Sequence, residues 1–135
     1  YLEKSAPELV LVHDGARPLV PPDLVRAVVD AAREHGAATA GLPLKNACKE
    51  VGSDGFVTRS LERASLVSVQ TPQAFLFELL SRAHREGRAQ GSAVDDDAEL
   101  VERLGEPVKV VPGDYRNLKI TTPDDLAAAK AHLAP

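Results

Sequence analysis

Four groups of side chains in this sequence have the types and spacing to do chemistry. Asp14 and Arg17 stand in Asp14-Gly15-Ala16-Arg17-Pro18, and Arg59 and Arg63 close a polar stretch further on. Asp95-Asp96-Asp97 is a run of acids, and Asn117 and Lys119 sit in Asn117-Leu118-Lys119-Ile120-Thr121. An acid close to a guanidinium suits a sugar hydroxyl, or a magnesium ion beside a phosphate. A lysine aimed off a strand near its end suits a phosphate oxygen. Each group also has a plain structural alternative. Asp14 can cap a turn while Arg17 is a solvated charge, and three acids favour the first turn of a helix. Exposed strand lysines are common. His13, His35, His84 and His132 have no metal-ligand spacing, so no zinc site is implied. Ser, Cys and His form no pattern of a nucleophilic triad, and Cys48 reads as incidental.

The elements that must position these groups alternate. Leu9 to His13 is a short apolar strand, stopped by the polar turn that carries Asp14 and Arg17. Ligands of open α/β sheets collect beyond the carboxyl ends of strands, which is where that turn falls. Pro21-Pro22-Asp23 leads into a helix over 24–35 with Leu24, Ala27, Val28, Ala31 and Ala32 as its core stripe, ended by Gly36. A small-residue strand over 38–43 completes a strand–helix–strand unit, which favours a parallel pair. Residues 45–61 alternate polar and apolar and turn at Gly52-Ser53-Asp54-Gly55, which predicts a hairpin projecting from the sheet. A strand over 66–70 follows. Thr71 as cap and Pro72 at the first position then predict a helix over 73–86, stopped by Gly87. Residues 91–94 read as a loop and the three aspartates open a helix to Leu104, ended by Gly105. Strands over 108–111 and 117–121 come next. Thr122-Pro123-Asp124-Asp125 starts a closing helix to about Leu133. The fold class is α/β: a three-layer, mainly parallel sheet flanked by helices, with one projecting β-arm.

With 135 residues, 10 prolines and 9 glycines, the chain is one domain of short elements joined by tight turns. A net charge of −4 argues against a general binder of nucleic acid or of membrane surfaces, so a phosphate ligand needs a local cluster of cations. The single cysteine excludes an internal disulfide and suits a reducing cytoplasm. No stretch reads as a membrane span or signal peptide. The chain contains no methionine and begins at Tyr1, so part of a longer protein is expected. A glycine-rich, nucleotide-cradling loop is expected upstream. A lone hairpin is marginal, and a second copy of the chain is its expected partner.

Val12-His13-Asp14-Gly15-Ala16-Arg17-Pro18, Gln70-Thr71-Pro72-Gln73, Asp96-Asp97-Ala98 and Asn117-Leu118-Lys119-Ile120-Thr121-Thr122-Pro123-Asp124-Asp125-Leu126 occur in this order. Together they resemble the 2-C-methyl-D-erythritol 4-phosphate cytidylyltransferase family of the non-mevalonate isoprenoid pathway, over the C-terminal part of the family's enzyme. The resemblance implies a nucleotide-diphospho-sugar-transferase-like fold of Rossmann type. It also implies attack of an acceptor phosphate oxygen on the α-phosphate of CTP, with release of pyrophosphate. Magnesium would bridge the nucleotide phosphates. Carried over by position, Arg63 and Lys119 would hold the acceptor for attack, Asp14, Arg17 and Thr71 would line its pocket, and Asp95 would contact ribose. The arm would reach into a neighbouring subunit, so that Arg63 serves its partner's site in a homodimer. Asn46-Ala47 stands where the family commonly has Asp-Thr. That departure leaves open a ribitol-5-phosphate cytidylyltransferase, and a non-catalytic dimerisation or regulatory module is a further alternative. The chain by itself is expected not to turn over.

Overall fold

The computed structural model describes residues 7–91 and 94–133. Its main sheet has four strands, β1 (Leu9–Val12), β2 (Ala37–Pro43), β5 (Val67–Leu76) and β6 (Lys109–Pro112), in the order β1-β5-β2-β6. β6 lies parallel to β2, whereas β5 is antiparallel to both β1 and β2. Three strands therefore run the same way and β5 opposes them. The sequence reading expects the first two strands to be neighbours. They are parallel, but β5 lies between them. The reason is the connection: the hairpin arm leaves the end of β2 at Pro43 and the chain returns with Val67 opposite Pro43. A return to the same end of a strand can pair only antiparallel, because a parallel pair needs a crossover to the other end.

Helices cover both faces. Helix α1 (Pro22–His35) packs Leu24, Val28 and Ala32 against Ala38, Ala40 and Ala74 of the sheet. On the other face, α2 (Phe77–Gln90) and α3 (Asp97–Arg103) pack Leu80, Ala83, Leu100 and Val101 around Ala37 and Phe75. Alternate residues of β2 and β5 thus feed opposite cores, as pleated strands require. α2 does not stop at Gly87 but runs to Gln90, with Gly91 as its left-handed end. Gly87 has a packing role instead. A Cβ there would stand 2.6 Å from Leu100 Cδ2, so its hydrogen lets α3 close onto α2.

Two further expectations are corrected. Residues 73–76 are strand, not the first turn of a helix, and Thr71 is not a helix cap. Ala74 and Phe75 are fully buried on opposite faces of β5, which overrides a short apolar run that reads equally well as helix. Pro72, whose bond to Thr71 is cis, occupies the place where the β2–β5 register steps from Thr39↔Gln73 to Ala40↔Gln70. No ladder bond is asked of it there. Residues 117–121 join no sheet, and Asn117 is a bend; a bond from Ile120 N–H to Ala16 O (2.8 Å) ties them to the loop after β1. Asn117 is fully buried and its backbone is committed elsewhere, its N–H donating to Asp114 O (3.0 Å) and its carbonyl accepting from Arg17 (2.8 Å) and Gln70 (3.1 Å), which leaves nothing for a ladder.

The arm is present. β3 (Cys48–Val51) and β4 (Val57–Leu61) form a separate two-stranded sheet, with Val51, Phe56 and Val57 exposed. The closing helix α4 (Pro123–Leu133) starts as its sequence suggests. Thr122 Oγ1 accepts from Asp125 N–H (3.2 Å) while Asp125 Oδ2 accepts from Thr122 N–H (2.8 Å), a reciprocal capping box. Donors from Thr121 and Thr122 draw the Asp125 carboxyl down to about 2. Residues 92–93 of the expected loop lie outside the described residues. Among the described residues no helix is long and apolar enough to cross a membrane.

The loop after β6 depends on a close approach. Gly113 N–H donates to Gly41 O (2.8 Å), and a Cβ on Gly113 would meet Gln70 Oε1 at 2.5 Å and the Gly41 carbonyl at 3.2 Å. Gly113→Ala is expected to cost about 1–3 kcal/mol through overpacking, read from chemical denaturation. An unchanged midpoint would show that the loop moves aside freely.

Candidate functional site

The turn after β1 is fixed by its neighbours. Asp14 N–H donates to Thr71 Oγ1 (2.9 Å), and that hydroxyl also meets His13 Nδ1 (3.0 Å). His13 Nε2 lies 3.1 Å from Arg17 O, so the histidine spans the turn. The Asp14 carboxylate is thereby presented at the end of β1, between two cations. Its Oδ2 is 3.1 Å from Arg17 Nε and 3.2 Å from Lys119 Nζ. Burial works to raise the Asp14 carboxyl, but hydrogen bonds and charge from Lys119 and Arg17 outweigh it and hold it below its usual value.

The two cations differ. Arg17 is nearly buried, held at Nε by Asp14 and at Nη1 by Asn117 O (2.8 Å). It braces the 117–119 segment against the β1 turn. Lys119 is half-exposed and makes one short contact, so donors remain on its ammonium for an incoming anion.

The other walls come from β5. Gln70 donates to Asp114 O (3.2 Å) and Asn117 O (3.1 Å), while its Oε1 accepts from Asp114 N–H (3.3 Å). Gln73 donates to Asp96 Oδ2 (2.9 Å) and Thr39 Oγ1 (3.1 Å). Asp96 caps α3 by accepting from Glu99 N–H (2.9 Å). Together Asp14, Arg17, Thr71, Asp95, Lys119 and neighbouring β5 side chains line a cavity of about 190 Å³. Larger hollows, of about 460 and 310 Å³, lie beside α2, where apolar Leu76, Leu79 and Phe77 share the walls with charged residues such as Glu78, Arg82, Arg85 and Asp97. What marks the cleft is neither size nor charge alone but its place beyond the end of β1, with two cations on one carboxylate.

Five of the six residues singled out from the sequence therefore share one cleft: Asp14, Arg17, Thr71, Asp95 and Lys119. Arg63 does not. It follows β4 on an exposed single turn (Arg63–Ser65), and its Nη1 donates to Lys45 O (2.6 Å) at the root of the arm. Arg59 pairs with Glu50 (2.8 Å) across the hairpin. The three aspartates divide: Asp96 caps, Asp97 meets His84 Nε2 (2.8 Å), and Asp95 lines the cleft. The roles of His13, Gln70 and Gln73 were not read from the sequence. The available signal was two glutamines flanking Thr-Pro inside what the structure makes a central strand. Among the described residues no three His, Cys, Asp or Glu side chains are grouped to hold a metal. Asp14, the acid at the centre of the cleft, is already paired with Arg17 and Lys119, so these residues do not fit a resident metal centre.

Cations and acids gathered beyond a strand end of an α/β sheet stand where the ligands of that class of fold collect. The comparisons narrow this. A match to the family described as 2-C-methyl-D-erythritol 4-phosphate cytidylyltransferase covers residues 1–135, and the chain belongs to that family. The enzyme of that description from Pelotomaculum thermopropionicum is 54% identical over 123 residues, which are 91% of this chain and 52% of that protein. The one from Geobacillus thermodenitrificans is 51% identical over 94% of this chain and 55% of its own length. The crystal structure of the Thermus thermophilus enzyme superposes with a TM-score of 0.86 at 42% identity, covering 97% of this chain and 64% of that one. The chain spans about half the length of the curated relatives it matches.

The Asp14 cluster makes a titration prediction. A carboxyl depressed in the folded state stabilises above its unfolded value, near 4, and that contribution is lost as pH falls through the folded value. In Lys119→Ala, removing an opposing charge leaves burial less opposed, so the Asp14 carboxyl should titrate higher than in the parent. Carboxyl-detected NMR measures this, and an unmoved midpoint would disprove the pairing.

Proposed function

We propose that the intact protein transfers CMP from CTP to 2-C-methyl-D-erythritol 4-phosphate and releases pyrophosphate. The observation that carries this reading is Lys119 standing over Asp14 in a cleft, in a chain of this family. An acceptor phosphate oxygen forms a bond to the α-phosphorus of CTP, and the bond from that phosphorus to the bridging oxygen breaks. Protein catalysis of such a step is positioning and charge stabilisation. Lys119 would bind the acceptor phosphate with its free donors while Asp14 fixes the ammonium. Thr71 and Arg17 would hold the wall on which the acceptor rests, and Asp95 would accept from ribose hydroxyls. Magnesium would arrive on the nucleotide phosphates, since these residues build no cage of their own. The reading places the protein in the cytoplasm. Relatives and family alike carry the methylerythritol phosphate name, which favours that acceptor over ribitol 5-phosphate and favours an enzyme over a binding module.

Charge-assisted contacts to phosphate contribute roughly 1.5–3 kcal/mol each. In the intact enzyme, Lys119→Ala and Arg63→Ala should each raise the acceptor KM or lower kcat by about 10- to 100-fold, with the CTP KM changing much less. Acceptor kinetics unchanged in both variants would remove the acceptor-site assignment.

The same reading includes a homodimer with exchanged arms. It is supported by three exposed apolar side chains, Val51, Phe56 and Val57, and by the position of Arg63 outside its own cleft. Sedimentation of the intact protein should give a dimer, weakened by Phe56→Asp. A monomer at micromolar concentration would rule out a shared site.

A further inference from the structure

Gln70 stands in β5 with 6% of its surface exposed, and its side chain reaches the loop after β6. Its Nε2 donates to Asp114 O (3.2 Å) and Asn117 O (3.1 Å), and its Oε1 accepts from Asp114 N–H (3.3 Å). Asp114 thus meets this amide as it would meet a neighbouring strand, through both its N–H and its carbonyl. The partners fix which way the amide faces, because a carbonyl only accepts and a backbone N–H only donates. Gly113 makes the contact possible, since a Cβ there would stand 2.5 Å from Gln70 Oε1.

What hangs from this amide is Lys119. Asn117 N–H donates to Asp114 O (3.0 Å), which closes a turn over 114–117. Arg17 Nη1 and the Thr71 carbonyl also hold Asn117, at 2.8 and 2.7 Å. Gln70 differs from both in bonding the two ends of that turn. Two residues on, Lys119 has its ammonium 3.2 Å from Asp14 Oδ2. Ile120 N–H, one residue further, is fixed to Ala16 O (2.8 Å). Lys119 therefore belongs to a short span pinned at each end. Lysine is a flexible point charge, so its aim is inherited from the backbone that carries it.

We infer that Gln70 is a positioning residue for Lys119: its buried amide fixes the 114–117 turn to β5 and so sets where the ammonium stands in the cleft. The phosphate that Lys119 meets rests on the proposed reaction, whereas the anchoring rests on the hydrogen bonds. Gln70→Met keeps the length and bulk of the side chain and removes its amide. Asp114 O still has Asn117 N–H, and Asn117 O still has Arg17, so neither carbonyl is left unpaired. Loss of the anchor then falls on the position of the turn more than on folding.

The test uses the intact enzyme, with acceptor and CTP kinetics, thermal melting and carboxyl-detected NMR of Asp14 in each variant. Gln70→Met should repeat the defect of Lys119→Ala in kind. The acceptor KM should rise or kcat fall by about tenfold, with the CTP KM changing much less. Added to Lys119→Ala, it should cost less than about twofold more, because it then has nothing to act through. The Asp14 carboxyl should titrate higher in Gln70→Met than in the parent, since burial is less opposed once Lys119 draws away. Val28→Ala, which opens a cavity in the core under α1, should lower the melting point without those shifts. Parental acceptor kinetics in Gln70→Met would overturn the inference, as would an unmoved Asp14 titration. A larger loss in the double variant, or the same kinetic shift in Val28→Ala, would overturn it as well, because Gln70 would then be merely structural. Should Gln70→Met not fold, Gln70→Asn carries the same expectations, its amide being one methylene too short to reach the turn. An intact protein that binds CTP without transferring CMP would refute the reaction, and the Asp14 titration would still decide the anchor.

Discussion

A polar side chain in a strand flanked by strands on both edges and helices on both faces cannot reach water. Its hydrogen bonds must be found inside, or the strand is destabilised by an unpaired group. β5 carries two such side chains, Gln70 and Gln73, and the rest of the site hangs from them. Gln70 fixes Asp114 and Asn117, and so delivers the segment that ends in Lys119. Gln73 fixes Asp96, and so delivers Asp95. Thr71, between them, receives the backbone of Asp14. Three loops far apart in sequence thus meet over one short stretch of a single strand.

The electrostatics follow the same economy. The chain is net negative, so attraction of an anion rests on local charge. In the cleft that local charge comes from Arg17 and Lys119, which flank one carboxylate. Arg17 serves as a brace, held at Nε and Nη1, and Lys119 keeps free donors. A planar five-donor guanidinium and a mobile ammonium suit those two tasks, and exchanging them would serve neither.

Much of this was legible in sequence because it rests on local signals. The helix over 22–35, the hairpin turn, the capping box at Thr122-Pro123-Asp124-Asp125 and the polar turn after β1 each have their cause within a few residues. What was not legible depends on partners far along the chain. Phe75 and Ala74 read as helix until two flanking strands are known to bury them on both faces. Gly87 looks like a helix stop until Leu100 is seen lying on it. Asn117 alternates like a strand residue, yet its amide is claimed by Thr71 O (2.7 Å), 46 positions earlier. Of the site, the chemistry-bearing residues were visible and their scaffold of glutamines and His13 was not. Buried amides look like any other polar residue until the elements around them are placed.

The arm has one more property of practical weight. Cys48, the sole cysteine in the sequence, begins β3 and is partly exposed, with its thiol near Asn46 O (3.7 Å). A nitroxide or fluorophore attached there would occupy a single defined place without any other thiol of this sequence having to be removed. The hairpin's position and motion could then be followed by distance spectroscopy in an otherwise unaltered polypeptide.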